Sequence, residues 1–102
     1  MLKVTKDNFK SLLASDVPVL LDFYADWCGP CRMLSPIIEQ IAAEHPEITV
    51  GKVNVDEEGE LAAAFGVVSI PMLAVLKSGK VTATAVGVRP KEAIEQMLAL
   101  QA

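Results

Sequence analysis

The sequence predicts an α/β domain in which a central mixed β-sheet is covered by helices on both faces. Apolar segments of strand length alternate along the chain with segments whose apolar residues recur at helical spacing. The last two strand-like segments are instead joined by a Ser-Gly turn, which predicts a hairpin. Hydrophobic residues make up 52% of the 102 residues, enough to fill a single core. We therefore expect one domain, residues 1–102, with three α/β/α layers and the order βαβαβαββα.

The N-terminal segment predicts a short strand followed by a helix. Val4 and Thr5 are expected to close the strand, and Thr5 is a suitable N-cap for a helix with a buried apolar stripe. That stripe consists of Phe9, Leu12 and Leu13. The Asp-Val-Pro segment at residues 16–18 then ends the helix.

The run from Val19 to Ala25 predicts a strand buried on both faces, and Asp22 is its one charged residue. An amphipathic helix follows, and Pro30 suits its first helical position because no amide hydrogen is needed there. Pro36 lies inside the apolar pattern, which resumes after it. We expect the helix to kink there and to stop only at His45-Pro46.

The remaining sequence predicts a strand, a helix, a hairpin and a last helix. Residues 48–55 read as a strand, and the acidic residues after it suit the start of a helix that ends at Gly66. Residues 72–77 and 80–86 form the hairpin, and Pro90 opens the last helix. Because strands separated by helices need crossovers, we expect parallel pairing everywhere except in the hairpin.

Both cysteines of the chain lie in one segment, Trp27 to Cys31, where the buried strand passes into the helix. Unpaired amides and the positive end of the helix dipole favour the thiolate of Cys28, which makes it the candidate nucleophile. Cys31 follows one turn deeper on the same face, within reach of a disulfide. We expect Cys28 to be exposed and Cys31 to be shielded, with a reversible two-electron exchange between them.

Two other interpretations of the cysteine pair stay open at this point. Zinc requires four ligands, and the only histidine, His45, lies at the far end of the helix, which makes a metal site a poor fit. A permanent structural disulfide would close so short a loop that it adds little stability. Redox exchange is the hypothesis that the residues favour most.

Charge and hydropathy exclude two classes of partner. The net charge is −4 with scattered lysines and arginines, which does not suit nucleic acid. The longest nearly apolar stretch, residues 65–76, is interrupted by glycine, serine and proline and is shorter than the roughly 20 residues of a membrane span. Residues 1–7 contain no apolar signal core, so we expect a cytoplasmic protein.

A Cys-x-x-Cys motif beside a βαβ pattern is typical of thioredoxin-like redox proteins, and the chain resembles the thioredoxin family over nearly its full length. The matching segments, in family order, are residues 22–31, residues 52–56, Ile70-Pro71, Lys77-Ser78-Gly79 and Val86-Gly87. The resemblance implies the thioredoxin fold and reduction of disulfides in other proteins. In that reaction Cys28 attacks the client disulfide, a mixed disulfide forms, and Cys31 resolves it.

The resemblance also implies roles for residues around the motif. Asp22, if buried, would accept or return a proton near Cys31, with Lys52 as its electrostatic partner. Asp22 on the surface of an edge strand, and a merely solvated Lys52, are the alternatives. The Ile70-Pro71 bond is expected to be cis and to face the cysteines. The expected docking surface for clients consists of Trp27, Gly29, Pro30, Ile70, Pro71, Val86 and Gly87.

Cofactor and partners follow from the same resemblance. The chain is expected to be a monomer that needs no cofactor or metal of its own, because its Cys28-Cys31 pair carries the electrons. Its partners would be disulfide-containing clients and a thioredoxin reductase that uses NADPH. Met72, Leu76 and the Val68-Ser69 pair depart from the commonest family pattern, which concerns substrate preference. The competing functions are an oxidising or isomerising exchanger and a scaffold whose thiols are incidental.

Overall fold

A computed structural model describes residues 1–100 of the chain, with the order βαβαβαββα that the sequence predicts. The elements are β1 (Leu2–Lys3), α1 (Phe9–Leu13), β2 (Val19–Tyr24), α2 (Gly29–Glu44), β3 (Thr49–Asn54), α3 (Gly59–Ala64), β4 (Met72–Lys77), β5 (Lys80–Val86) and α4 (Lys91–Met97). The domain prediction extends to residue 102, and its last two positions lie outside the described residues.

The five strands form one mixed sheet in the order β1-β3-β2-β4-β5. The pairs β1/β3 and β2/β3 are parallel, whereas β4 is antiparallel to both of its neighbours, β2 and β5. The expectation that β4 would join as a parallel strand is therefore wrong. Two strands joined by a helix are parallel only when the helix carries the chain back to the end of the sheet at which the first strand began.

The connection from β3 to β4 begins and ends at the same end of the strands, the carboxyl end of β2 and β3. Phe23 of β2 is paired both with Val53, near the end of β3, and with Met72, the first residue of β4. The short helix α3 thus returns the chain to the edge that it left. This path brings the segment before β4 to the carboxyl ends of β2 and β3, where the cysteine motif also lies.

Two apolar layers pack on the two faces of the sheet, which confirms the three-layer prediction. The layer with α1 and α3 includes Leu21 and Phe23 of β2, and the layer with α2 and α4 includes Leu20 of the same strand. Because side chains alternate along a strand, Asp22 lies on the face that α2 and α4 cover. The strand predicted to be buried on both faces is the centre of the sheet.

Several local predictions hold and one does not. Helix α2 continues past Pro36 and is capped by His45, and the hairpin turn has the positive φ angles of Ser78 (52°) and Gly79 (77°) that a two-residue type I′ turn requires. At the N-terminus, β1 ends at Lys3, and Asn8, not Thr5, precedes α1. The Asn8 side chain accepts a hydrogen bond from the Thr5 amide at 2.9 Å, and the Thr5 hydroxyl accepts one from the Asp7 amide at 3.2 Å. Thr5 therefore caps the turn of residues 6–8 that leads into α1, in the reciprocal manner of a capping box.

Helix α3 ends at Ala64, and Gly66 closes its C-terminal cap as predicted. Gly66 has a φ of +67°, its amide donates to the Ala63 carbonyl, and the Val67 amide donates to the Ala62 carbonyl. These two bonds are the Schellman arrangement that ends many helices at a glycine. Within residues 1–100, no helix has both the length and the apolar character of a membrane span.

Candidate active site

The cysteine motif lies in the turn between the carboxyl end of β2 and the first turn of α2. Cys28 is the N-cap of α2, with an extended backbone, and Cys31 lies in the first helical turn. The two residues are joined by a disulfide, with their Cα atoms 5.2 Å apart. The structure therefore holds the oxidised form of the pair, and both sulfurs are provided by a single strand-to-helix junction.

The two cysteines are equally covered, which corrects the expectation that Cys28 would be exposed. Each is only 4% exposed, and the pair packs with Ala25, Val55 and Ile70. The Cys28 Sγ atom lies 3.9 Å from the Ile70 carbonyl oxygen, so the loop before β4 covers the helix start. Exposure does not distinguish the two sulfurs in the oxidised form, and any difference in their chemistry has to come from their polar contacts.

The polar contacts of the two sulfurs are different. The Cys31 amide donates a hydrogen bond to Cys28 Sγ at 3.2 Å, in the manner of a side-chain N-cap. A donor at this position stabilises negative charge on Cys28, and the positive end of the α2 dipole acts in the same sense. This arrangement supports Cys28 as the sulfur that ionises more readily.

Asp22 is buried in the central strand, as predicted, and the alternative of a surface position on an edge strand is wrong. It is 1% exposed, and its Oδ1 atom is the buried side-chain oxygen within residues 1–100 that has no hydrogen-bond partner. Burial raises the pKa of the Asp22 carboxyl from 3.8 to about 6, although the charge of Lys52 lowers it in part. The group can therefore change protonation state near neutral pH.

Lys52 lies beside Asp22 in the sheet, because the two residues are register partners on the parallel strands β2 and β3. Its Nζ atom is positioned 4.4 Å from the centre of the Tyr24 ring, a cation-π geometry. Within the described part of the chain it makes no ion pair with Asp22. Lys52 therefore acts on the carboxyl through space, as a neighbouring positive charge.

An open cleft of about 160 Å³ connects solvent with Cys31. Its lining consists of Tyr24, Ala25, Asp26, Cys31, Arg32, Ser35 and Lys52. The Arg32 guanidinium donates to the Asp26 carbonyl at 2.9 Å, which ties the first turn of α2 to the loop before the motif. The cleft gives water access to the region between Cys31 and Lys52.

The residues predicted to bind clients surround the motif but differ in exposure. Trp27 is 69% exposed and Val86 48%, Pro30 is also exposed, and Gly29, Ile70 and Gly87 are half-buried. Pro71 is buried, so its side chain adds no exposed area to this surface. It directly precedes Met72, which is paired on both sides, with Phe23 and Val86.

The loop that contains Pro71 is held by the residue that follows the neighbouring strand β5. The Ile70-Pro71 bond is cis, as predicted, and the Gly87 amide donates to the Pro71 carbonyl at 2.8 Å. Next to this loop lies a groove of about 190 Å³ whose lining is mainly apolar. It includes Trp27, Ile70 and Val68, which is 94% exposed and was noted in the sequence only as a departure from the family pattern.

One site residue was missed in the sequence. The Trp27 indole nitrogen donates to the Asp56 carboxylate at 2.9 Å, and the Asp56 amide in turn donates to the Asn54 side chain at 2.9 Å. The sequence pattern alone predicts that Asp56 is one of the solvated acidic residues at the start of the next helix. Its position directly after β3, at the same sheet edge as the motif, was the available signal.

Comparison with known proteins agrees with the geometry. The Thioredoxin family model matches residues 1–100. The chain is 46% identical over 95 residues to a thioredoxin of Chlamydia pneumoniae, covering 93% of this chain and 92% of the relative. It is 45% identical over 97 residues to a thioredoxin of Alicyclobacillus acidocaldarius, covering 94% and 92%. It is 42% identical over 99 residues to a thioredoxin of Bacillus subtilis, covering 96% and 94%.

The motif, the fold and these relatives agree over almost the whole described chain. The redox-active group of thioredoxins is a disulfide, and this chain has one at the matching motif, between Cys28 and Cys31. The chain belongs to the thioredoxin family and is a thiol-disulfide oxidoreductase with protein-disulfide reductase activity.

Proposed function

We propose that the reduced protein transfers two electrons to a client disulfide in two exchange steps. In the first, the Cys28 thiolate attacks one client sulfur, the client S–S bond breaks, and a client thiolate leaves. In the second, the Cys31 thiolate attacks Cys28 Sγ, the Cys28-Cys31 bond forms, and the second client thiolate leaves. The main support for this order is the amide of Cys31, which donates to Cys28 Sγ and to no other sulfur.

The second step requires that Cys31 lose a proton, and we propose Asp22 as the acceptor. A buried carboxyl with a pKa of about 6 is a suitable base near neutral pH. Its free Oδ1 atom has no competing donor in the described chain. Lys52 tunes the acceptor by its charge, and both Lys52 and Cys31 line the open cleft through which water reaches this region.

We propose that clients dock on the groove and the rim around the motif. The exposed Trp27 and Val68 and the half-buried Ile70 form the apolar part, which suits an unfolded or extended peptide segment. Gly29 and Pro30 lie on the rim beside the cysteines, and a Cβ atom at Gly29 would meet nothing within 4 Å, so the backbone there faces open space that a client can occupy. Val86 and Gly87 complete the rim, and the buried Pro71 acts by positioning the backbone of its loop.

The cycle closes when the Cys28-Cys31 disulfide is reduced again. We propose that a thioredoxin reductase using NADPH does this, and that the chain itself binds no cofactor or metal. One monomer suffices, because one chain provides both sulfurs. We propose that residues 1–102 act as a single domain in the cytoplasm, where a reducing environment keeps the dithiol available.

The direct test is reduction of insulin by dithiothreitol, followed as turbidity. The wild type should accelerate precipitation, and Cys28→Ser should lose the acceleration. Cys31→Ser should still attack and should accumulate a mixed disulfide, detectable by mass spectrometry after acid quenching. Equal rates for wild type and Cys28→Ser would instead favour a scaffold whose thiols are incidental.

Direction of electron flow needs a separate measurement. Titration of the Cys28-Cys31 couple against glutathione buffers should give a reducing couple, in keeping with the Gly-Pro pair between the cysteines. A strongly oxidising couple would contradict the reductase proposal and would favour an oxidising or isomerising exchanger.

A further inference from the structure

A buried charged cluster lies at the far end of α2 from the cysteines. His45, the C-cap of α2, is 7% exposed, and Glu95 of α4 is 4% exposed. The His45 Nε2 atom is 2.7 Å from Glu95 Oε2, and its Nδ1 atom is 3.2 Å from Glu47 Oε2. Both ring nitrogens thus face carboxylate oxygens. The proposed redox function uses none of these residues.

The geometry determines how many protons the ring needs. An ionised carboxylate only accepts hydrogen bonds, and a neutral imidazole can donate from one of its two nitrogens. The second contact is favourable only when the ring carries both protons, as an imidazolium. The end of α2 adds to this, because the negative end of its dipole favours a cation at the C-cap.

The groups around His45 are mostly acidic. Glu47 and Glu95 act on the ring directly and Glu44 carries a charge near it, whereas Lys91 of α4 acts on Glu44 and Glu95, and Glu92 acts on Lys91. Glu44 is already paired with Lys91 at 2.8 Å and accepts a hydrogen bond from Gln40 at 2.8 Å. Glu44, His45 and Glu95 have possible metal-ligand atoms within 4.8 Å of one another. These atoms already take part in the hydrogen bonds and ion pairs just described, so we propose no metal site there.

We propose that His45, Glu95 and Glu47 form a proton-dependent clamp that fixes α4 to the C-terminal end of α2. With the proton bound, the imidazolium bridges two carboxylates and joins segments that are 50 residues apart in the sequence. When the proton leaves, the neutral ring can donate from only one nitrogen, so either the buried Glu95 contact or the exposed Glu47 contact is lost, and the charge attraction to both carboxylates disappears. The clamp therefore holds below the folded pKa of the His45 ring, as long as both carboxylates are ionised, and weakens as the pH rises through that pKa.

The direction of the effect follows from proton linkage. The hydrogen bond to Glu95 raises the pKa of the His45 ring above its usual range, burial opposes this, and Glu47 adds to the rise. A histidine with a raised pKa in the folded state stabilises that state most below its unfolded pKa, roughly 6.5. This contribution disappears as the pH rises through the higher folded value.

The first test uses the fact that His45 is the only histidine in the chain, so its ring resonances are unambiguous in NMR. In the oxidised wild type, the ring should titrate at a higher pH than in an unstructured peptide with the same local sequence. Glu95→Gln should lower this midpoint, and Glu47→Gln, at an exposed carboxylate, should lower it less. A wild-type midpoint at or below that of the peptide would overturn the proposal without any variant.

The second test measures stability by urea unfolding of oxidised protein at pH 6 and pH 9. Wild type should exceed His45→Asn in stability by more at pH 6 than at pH 9. Lys91→Met is the matched control, because it removes the neighbouring contact between α4 and α2, whose charges persist over this range. The clamp is refuted if the gap between wild type and His45→Asn is equal at both pH values. It is equally refuted if Lys91→Met reproduces the pH dependence of His45→Asn.

Discussion

Two buried carboxylates, Asp22 in the active-site region and Glu95 in the clamp, show opposite solutions to the same physical problem. Both are almost completely removed from water, at 1% and 4% exposure. Asp22 Oδ1 has no hydrogen-bond partner, and its positive neighbour Lys52 makes no ion pair with it. Glu95 is bonded directly to the His45 ring at 2.7 Å.

The difference determines where the exchangeable proton resides. At Asp22, burial without a close counter-charge raises the pKa of the carboxyl itself, so the acid keeps a proton until near neutral pH. At Glu95, the partner holds the proton, and the pKa that rises is that of His45. A buried acid without a partner costs stability but can exchange a proton, whereas a paired one connects two helices.

The largest effect is expected from Asp22→Asn, which removes the exchangeable proton of this carboxyl. Asp22→Asn has nearly the same shape but cannot act as a base, so resolution of the mixed disulfide by Cys31 should slow by about a hundredfold or more. Attack by Cys28 should be almost unchanged. Acid-quenched mass spectrometry of single turnovers should therefore detect a mixed disulfide that persists in the variant.

The control for that experiment is the Cys31→Ser background, in which only the attack step remains. Adding Asp22→Asn to Cys31→Ser should leave the attack rate unchanged. Equal slowing of both steps in the single variant would contradict a role in proton transfer and would favour a general electrostatic effect on the motif.

The next effect is on stability and separates the two carboxylates by pH. Asp22 titrates near 6 when folded against an ordinary value of 3.8. Its destabilising effect is therefore absent in strong acid, grows as the pH rises through this interval and reaches about 3 kcal/mol above it, at about 1.4 kcal/mol for each pH unit. Urea unfolding of oxidised Asp22→Asn should lack this loss of stability.

The stability that the clamp gives the protein should be lost at higher pH than the effect of Asp22, above the unfolded pKa of histidine, roughly 6.5. Asp22→Asn should therefore flatten the acid part of the wild-type stability curve, and His45→Asn should flatten the alkaline part. If Asp22→Asn left the acid part of the curve unchanged, Asp22 would have an ordinary pKa in the folded protein.

Parts of both regions could be predicted from local sequence pattern. Periodicity and capping residues indicated α2, the central strand and the hairpin, and the burial of Asp22 followed from its position in an apolar run. The direction of β4 could not be predicted, because apolar periodicity carries no information on strand direction. The burial of Cys28 was missed because it depends on the distant Ile70 loop, which covers the motif.

Contacts between distant residues were also beyond the sequence. The pattern of α4 indicated its apolar stripe but not that Glu95, next to Ile94, would be buried against a histidine 50 residues earlier. The need for a glycine at position 51 is a second example that local sequence does not reveal. A Cβ atom there would lie 2.5 Å from a methyl group of Val4, which follows the neighbouring strand β1. Such pairs are determined by tertiary packing and not by local propensity.

A smaller effect should follow from removal of the charge near Asp22. Lys52→Met keeps an aliphatic chain beside Tyr24 but removes the charge that lowers the pKa of the Asp22 carboxyl. The pH profile of the resolving step should move to higher pH, by an amount that corresponds to about 1 kcal/mol or less for a partly screened charge. Lys3→Met is the matched control, since Lys3 is the register partner of Lys52 on the neighbouring strand β1 and its removal changes the charge by the same amount. An identical profile for Lys52→Met and wild type would remove Lys52 from the site.

The smallest effect concerns the hydrogen bond that the sequence did not reveal, between Trp27 and Asp56. Asp56→Ala removes the acceptor and frees the Trp27 ring, and the KM for a protein client should rise by about fivefold or less, as for the loss of one exposed hydrogen bond. The kcat should stay the same, because the bond does not contact the sulfurs. Asp56→Asn keeps an acceptor oxygen and should restore the wild-type KM. Because Trp27 is the only tryptophan, its fluorescence reports the ring directly, and an unchanged spectrum in Asp56→Ala would indicate that the bond does not hold the ring in solution.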